Sequence, residues 1–221
     1  KNMRTEYSNW RKLDNAALAF PLVTGENDTR VFRFYCQLKE EVDSDILQQA
    51  LDRTMEKYPL FQAVLRKGLF WFYLEHSDIR ALVKPETEPP CSRLYIPDKK
   101  SLLFQVSYYK ERINFEVFHA LTDGTGAMHF LQELVQNYLI LAHPKENFSE
   151  IGSEKKTGRG NIAEDSFSQY YSSDIPKNRE KKKAAVKLKG EKLVHSDMHI
   201  SEVVLSVKEV HQKARSYGVS I

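Results

Sequence analysis

The run Phe118, His119, Ala120, Leu121, Thr122, Asp123, Gly124 stands where a β-rich stretch gives way to a helical pattern, and it holds a side chain able to do acid–base chemistry. An imidazole titrates near neutrality, at about 6.5, so it can take a proton and return it; placed on a nucleophile's hydrogen it is worth roughly 10² to 10⁴ in rate. Asp123 can fold the following loop back by accepting main-chain N–H groups or by pairing with an arginine. Gly124 permits a backbone conformation closed to other residues. A lone histidine at a strand end is more often a hydrogen-bonded structural residue than a catalyst, so the reading rests on the elements around it.

Those elements must hold His119 on a rigid support. Leu102 to Tyr109 and Ile113 to His119 predict a hairpin turning around Glu111 and Arg112, with Ile113, Phe115, Val117 and His119 on one face. From Gly124 or Thr125 to about Ala142 a helix is expected, with Met128, Leu131, Leu134, Val135 and Tyr138 as its buried stripe. Upstream, Asp14 to Phe20 reads as a short helix ended by Pro21, and Val31 to Leu38 as a strand. Ser44 caps a helix carrying Ile46, Leu47, Ala50, Leu51, Thr54 and Met55 on one face, stopped by Pro59. Leu60 to Arg66 and Leu69 to Glu75 predict a second hairpin around Lys67 and Gly68. Downstream, His199 to Leu205 could form a strand, and Ser206 with Glu209 a capping box for a helix ending at Gly218.

The order His-x-x-x-Asp-Gly, after a β hairpin and before an amphipathic helix, resembles the active-site motif of chloramphenicol acetyltransferase, of peptide-synthetase condensation domains and most of all of the alcohol acetyltransferases of that superfamily. Leu13-Asp14-Asn15-Ala16-Ala17, the helix before Tyr58-Pro59-Leu60 and the hairpin after it extend the likeness over essentially the whole chain. The resemblance implies that His119 is the general base, that Asp123 shapes the loop through a salt bridge, and that Gly124 keeps an acyl-donor channel clear. It implies acyl-CoA, acetyl-CoA in the first instance, as co-substrate, a small alcohol as acceptor, and no permanently bound cofactor.

Two departures stand out. Phe118 occupies the place where many members carry a first histidine; it is a possible pocket residue, though Phe118, Tyr108 and Tyr109 read first as sheet core. The second half of such proteins supplies an Asp-Phe-Gly-Trp-Gly-like segment, which does not occur here. Residues 1–205 therefore read as an amino-terminal half-domain with a flexible loop at 153–192, and 206–221 as the start of a truncated second half.

Composition excludes other classes. Hydrophobic residues at 41% and charged residues at 29% match a folded globular protein rather than a disordered one. No run approaches the roughly 18 apolar residues of a membrane span. The start, Lys1 to Trp10, lacks a signal-peptide pattern, and Cys36 and Cys91 have no CxxC spacing, which points to the cytoplasm. The net charge of +3 is concentrated between Lys177 and Lys192, in a run that reads as solvated loop and not as a nucleic-acid surface. His195, Asp197 and His199 could share a strand face but lack further ligands, so no metal is expected. His129 reads as a helix-surface residue.

The fold class expected is an α/β two-layer sandwich, a mixed and largely antiparallel sheet with helices on one face. Three functions compete: a CoA-dependent alcohol acyltransferase, a condensation-like former of amides or esters from a carrier-protein thioester, and a non-catalytic interaction module of the same fold. The chain alone is expected to be inactive and to self-associate.

Overall fold

The computed structural model describes residues 10–14, 16–26, 28–69, 71–146, 148, 189–190 and 200–219. The chain divides into two compact units, Lys1–Arg179 and Glu180–Ile221. His195, Asp197, His199 and almost all of the loop expected at 153–192 lie outside the described residues.

The first unit is built on two sheets. One contains β1 (Trp10–Lys12), β3 (Ala63–Lys67) and β4 (Phe72–His76) in the antiparallel order β1-β4-β3. The other contains β2 (Val31–Gln37), β5 (Val83–Pro85), β6 (Phe104–Tyr109) and β7 (Arg112–Phe118) in the order β2-β7-β6-β5. Among the described residues only the β5–β6 pair is parallel, and one bridge, between Val64 and Leu102, links the sheets. The expected mixed, largely antiparallel sheet is present, divided in two.

Both predicted hairpins form. β6 and β7 turn through Lys110 and Glu111, with Lys110 in the left-handed region at φ +50°. The β3–β4 connection spans residues 68–71 rather than 67–68, because the amide of Gly68 bonds to the carbonyl of Trp71 at 2.7 Å and closes a four-residue turn.

Helices α2 (Ser44–Lys57) and α3 (Gly124–Ala142) follow the predicted places, whereas α1 (Ala19–Val23) shares only Ala19 and Phe20 with the helix expected over Asp14 to Phe20, residues 16–18 being a turn. α1 runs through Pro21 instead of stopping before it, since proline in a first turn removes only an amide that has no intrahelical partner. Asp43, not Ser44, caps α2, accepting from the amides of Asp45 and Ile46 at 2.9 and 3.0 Å. In α3 Met128 is exposed, while Ala127 and Phe130 join Leu131, Leu134 and Tyr138 in the core.

The core lies between α2, α3 and one sheet face. Phe130 of α3 stacks on Phe115 of β7 at 4.6 Å and on Phe61 at 4.5 Å. Tyr138 of α3 accepts from the amide of Asp43, and Asn137 donates to Thr54, so polar groups at the α2–α3 seam are paired. Register puts Ile113, Phe115 and Val117 of β7 on the helix side.

The opposite sheet face is unusual in being both polar and covered. Arg33, Gln105, Ser107, Asn114 and Glu116 lie on it, beneath the irregular segment 86–95. Both faces of β7 are therefore buried.

In the second unit, residues 200–205, where a strand was expected, carry neither strand nor helix, and α4 (Val207–Ser216) follows. The Ser206 hydroxyl accepts from the Glu209 amide at 3.4 Å, one of the two bonds of the expected capping box, and Gly218, at φ +69°, follows the helix two residues past its last helical residue.

Candidate active site

His119 is the first residue beyond β7, and its backbone is held from two sides. Its amide bonds to the Arg30 carbonyl at 2.9 Å, and the preceding Phe118 amide bonds to that of Leu103 at 2.8 Å. Arg30 itself sits at φ +53°, a conformation that costs a non-glycine residue about 1–2 kcal/mol and persists only where neighbours enforce it. Its carbonyl is the acceptor for the His119 amide, and its side chain pairs with Asp28 at 2.8 Å.

The imidazole is half-buried on the helix-side face, as the alternation predicts. Phe20 of α1 lies parallel to it, with ring centroids 4.3 Å apart and planes at 10°; Phe32 of β2 packs against it at 4.9 Å and 58°. Phe34 extends the aromatic group beside Phe32. Among the described residues neither ring nitrogen has a hydrogen-bond partner. Sequence reading overlooked Phe20 and Phe32; alternation puts Phe32 on one face of β2, but only the β2–β7 pairing brings that face beside His119.

Asp123 is the N-cap of α3: its carboxylate accepts from the Gly126 amide at 2.8 Å. Of the two roles open to it, main-chain capping is the one adopted, and no arginine pairs with it among the described residues. The Leu121 amide bonds back to the Phe118 carbonyl at 2.9 Å, so the segment from 118 to 124 is a tight strand-to-helix turn.

Gly124 and Phe118 differ from expectation. Gly124 is the first residue of α3, has an ordinary helical backbone, and a Cβ there would meet only the Phe34 ring at 4.0 Å. The crowded glycine is Gly126, where a Cβ would lie 2.1 Å from the Thr122 hydroxyl. Phe118 is fully buried and stacks on Tyr95 at 5.4 Å; it faces the covered side of the sheet, away from His119. Strand alternation requires this, since adjacent residues point to opposite faces. Tyr108 packs against the core, whereas Tyr109 is exposed. His129 is exposed on α3.

Behind the site, the covered sheet face carries an ionic network. Glu116, fully buried, accepts from Arg33 at 2.9 Å, from the Cys91 amide at 2.5 Å and from Gln105. Arg33 also reaches Glu86 at 2.5 Å, and Asn114 donates to that carboxylate at 3.2 Å. Burial pulls the Arg33 guanidinium down, but the hydrogen bonds and charges of Glu86 and Glu116 outweigh it and hold it above its ordinary value. Burial raises the thiol of Cys91, and the charge of Glu116 adds to this; burial alone raises Cys36. Both cysteines are free.

Among the described residues no cluster of His, Cys, Asp or Glu could hold a metal ion, and no helix is long and apolar enough to cross a membrane. No family model matches the chain, and no curated protein does. Solved structures do. A variant of the starter condensation domain of the rhizomide synthetase RzmA is similar with a TM-score of 0.50 at 10% identity, over 61% of this chain and 38% of that one. A second variant of the domain, in complex with C8-CoA, is similar with a TM-score of 0.52 at 12% identity, over 62% and 37%. A third, with C8-CoA and Leu-SNAC, has a TM-score of 0.50 at 12% identity, over 61% and 36%. The chain thus spans little more than a third of the length of the structures it matches. Over the matched part, the chain has a fold similar to that of a condensation domain.

Proposed function

We propose that residues 1–205 are the amino-terminal half of an acyltransferase whose second half begins within 206–221, and that the complete protein moves an acyl group, acetyl in the simplest case, from coenzyme A to an alcohol. His119 is the base. The acceptor hydroxyl attacks the thioester carbonyl while a ring nitrogen takes its proton; the tetrahedral intermediate then collapses, the C–S bond breaks, and the coenzyme A sulfur takes the proton from the imidazolium. Coenzyme A is a co-substrate and leaves with each turnover. The cytoplasm, where acyl-CoA is made and used, is the compartment that suits this reading.

One observation carries it: an imidazole held by main-chain bonds at a strand end, with both ring nitrogens unengaged among the described residues, on a fold whose relatives include one crystallised with C8-CoA. A second reading, in which an amine attacks a thioester on a carrier protein, is favoured by the relative crystallised with Leu-SNAC as well.

The test is thiol release by the complete protein from acetyl-CoA, octanoyl-CoA and a carrier-bound octanoyl thioester, each with and without an alcohol or an amine. Alcohol-dependent release from a CoA donor is expected, reduced about 10²-fold or more by His119→Ala. Amine-dependent release from the carrier alone would select the condensation reading. Absence of transfer with every donor would leave a non-catalytic interaction module.

A further inference from the structure

We propose that Phe20 is a positioning residue for the base, holding the plane of the His119 ring so that its nitrogens stay at the open edge; the inference rests on the reading of His119 as that base. A base works through an in-plane lone pair, so ring orientation decides whether the lone pair meets the acceptor hydrogen. The last torsion of a histidine is broad, with no sharply preferred staggered well, and something must restrain it. A hydrogen bond at the second ring nitrogen commonly does this. His119 has none among the described residues.

Phe20 supplies the restraint in another form. Its ring lies parallel to the imidazole, 4.3 Å away and within 10°, while Phe32 packs at 4.9 Å on a tilt of 58°. Turning the imidazole about its last torsion would drive its edge into the Phe20 face. Stacking covers a π face and leaves the edge nitrogens free, which a hydrogen-bonded restraint would not do for both.

Phe20 is itself well anchored. Asp14 accepts from the Ala17 amide at 2.6 Å, the Thr24 amide bonds to the Phe20 carbonyl at 3.1 Å, and the buried Pro21 stiffens the backbone beside it. Thr24 and Thr29 continue the support, Thr24 donating to the Thr29 carbonyl at 3.0 Å and Thr29 to the Cys91 carbonyl at 2.7 Å. The next two residues of α1, Leu22 and Val23, are exposed, so this short helix buries little besides Pro21 and the ring over His119.

Phe20→Leu removes the plane and keeps an apolar group of similar size; Phe20→Tyr keeps the plane. In proton–carbon spectra of the full 221-residue chain, the His119 ring signals, assigned by their loss in His119→Ala, are expected upfield and to move downfield in Phe20→Leu but not in Phe20→Tyr. In the complete protein with octanoyl-CoA and an alcohol, Phe20→Leu should lower kcat about tenfold with KM within twofold, and Phe20→Tyr should restore it. Unmoved ring signals in Phe20→Leu, or a kcat within twofold of the parent while His119→Ala abolishes transfer, would overturn the proposal. A parent-like rate for His119→Ala would overturn the base itself, and the ring signals, which need no turnover, tell these failures apart.

Discussion

The guanidinium of Arg33 and the fully buried carboxylate of Glu116 meet at 2.9 Å across the β2–β7 pair, on the sheet face away from His119. The pair stands directly opposite in register and shares its charge with Glu86. Removing Glu116 would leave Arg33 to Glu86 alone and take the acceptor from the Cys91 amide and from Gln105 in a low-dielectric site. We expect Glu116→Leu to cost about 3–5 kcal/mol of stability, and Glu116→Gln less because its amide still accepts from the Cys91 amide. Urea unfolding of the chain checks this; an unchanged midpoint for Glu116→Leu would show that the network contributes nothing.

Asp123 is expected to act on both stability and rate. Its carboxylate is the cap of α3, and replacing a capping aspartate by alanine costs about 0.5–2 kcal/mol. Asp123→Ala should lower the melting temperature of the chain and the turnover of the complete protein together. A loss of turnover with the melting temperature unchanged would give Asp123 a chemical role in place of a structural one.

The two glycines at the start of α3 should separate. Gly124→Ala places a methyl in ordinary contact with the Phe34 ring at the first position of the helix and is expected to stabilise by at most about 0.5–1 kcal/mol. Gly126→Ala gains the same propensity but forces the Thr122 hydroxyl aside, so it should be the less stable variant of the two. Thermal unfolding of both decides; the reverse order would mean that Thr122 turns away without cost.

Alkylation should be slow at both thiols. Burial holds Cys36 and Cys91 above the ordinary thiol range, so less thiolate, the reactive form, is present at any given pH. With iodoacetamide the folded chain is expected to react more slowly than the urea-unfolded chain at neutral pH, and its rate should still be climbing at pH values where an exposed cysteine has levelled off. Equal rates folded and unfolded would contradict the burial.

The chain by itself is expected to fold, to transfer acyl groups poorly and to self-associate. Holding two reactants in attack geometry supplies about 7–11 kcal/mol of a barrier, which a span covering 38% of a related domain is poorly placed to provide. Ile200, Val203, Val204 and Leu205 are all exposed, and exposed apolar residues close together tend to find a partner. Sedimentation and thiol release on the 221-residue chain test both parts: a strict monomer, or brisk acetyl-CoA-dependent transfer, would refute the corresponding half.

What the sequence determined by itself was local. The alternation of Ile113 to Val117, the helical stripe after Gly124, the break at Pro59 and the Ser206 cap are written in residues close together in the chain, because strand and helix periodicity and capping act over a few positions. Through these His119 was legible as the residue a strand delivers to a helix start, and its face as the apolar one. Tertiary structure decided the rest. That Phe20 stacks on His119, that Glu116 finds Arg33 83 positions away, and that Phe118 packs under Tyr95 depend on strand order and on what covers each sheet face. Alternation separates Glu116 and Asn114 from the apolar face of β7 without saying what covers them; they are buried because segment 86–95 brings hydrogen-bond partners over them, and a polar group is tolerated inside where its bonds are met.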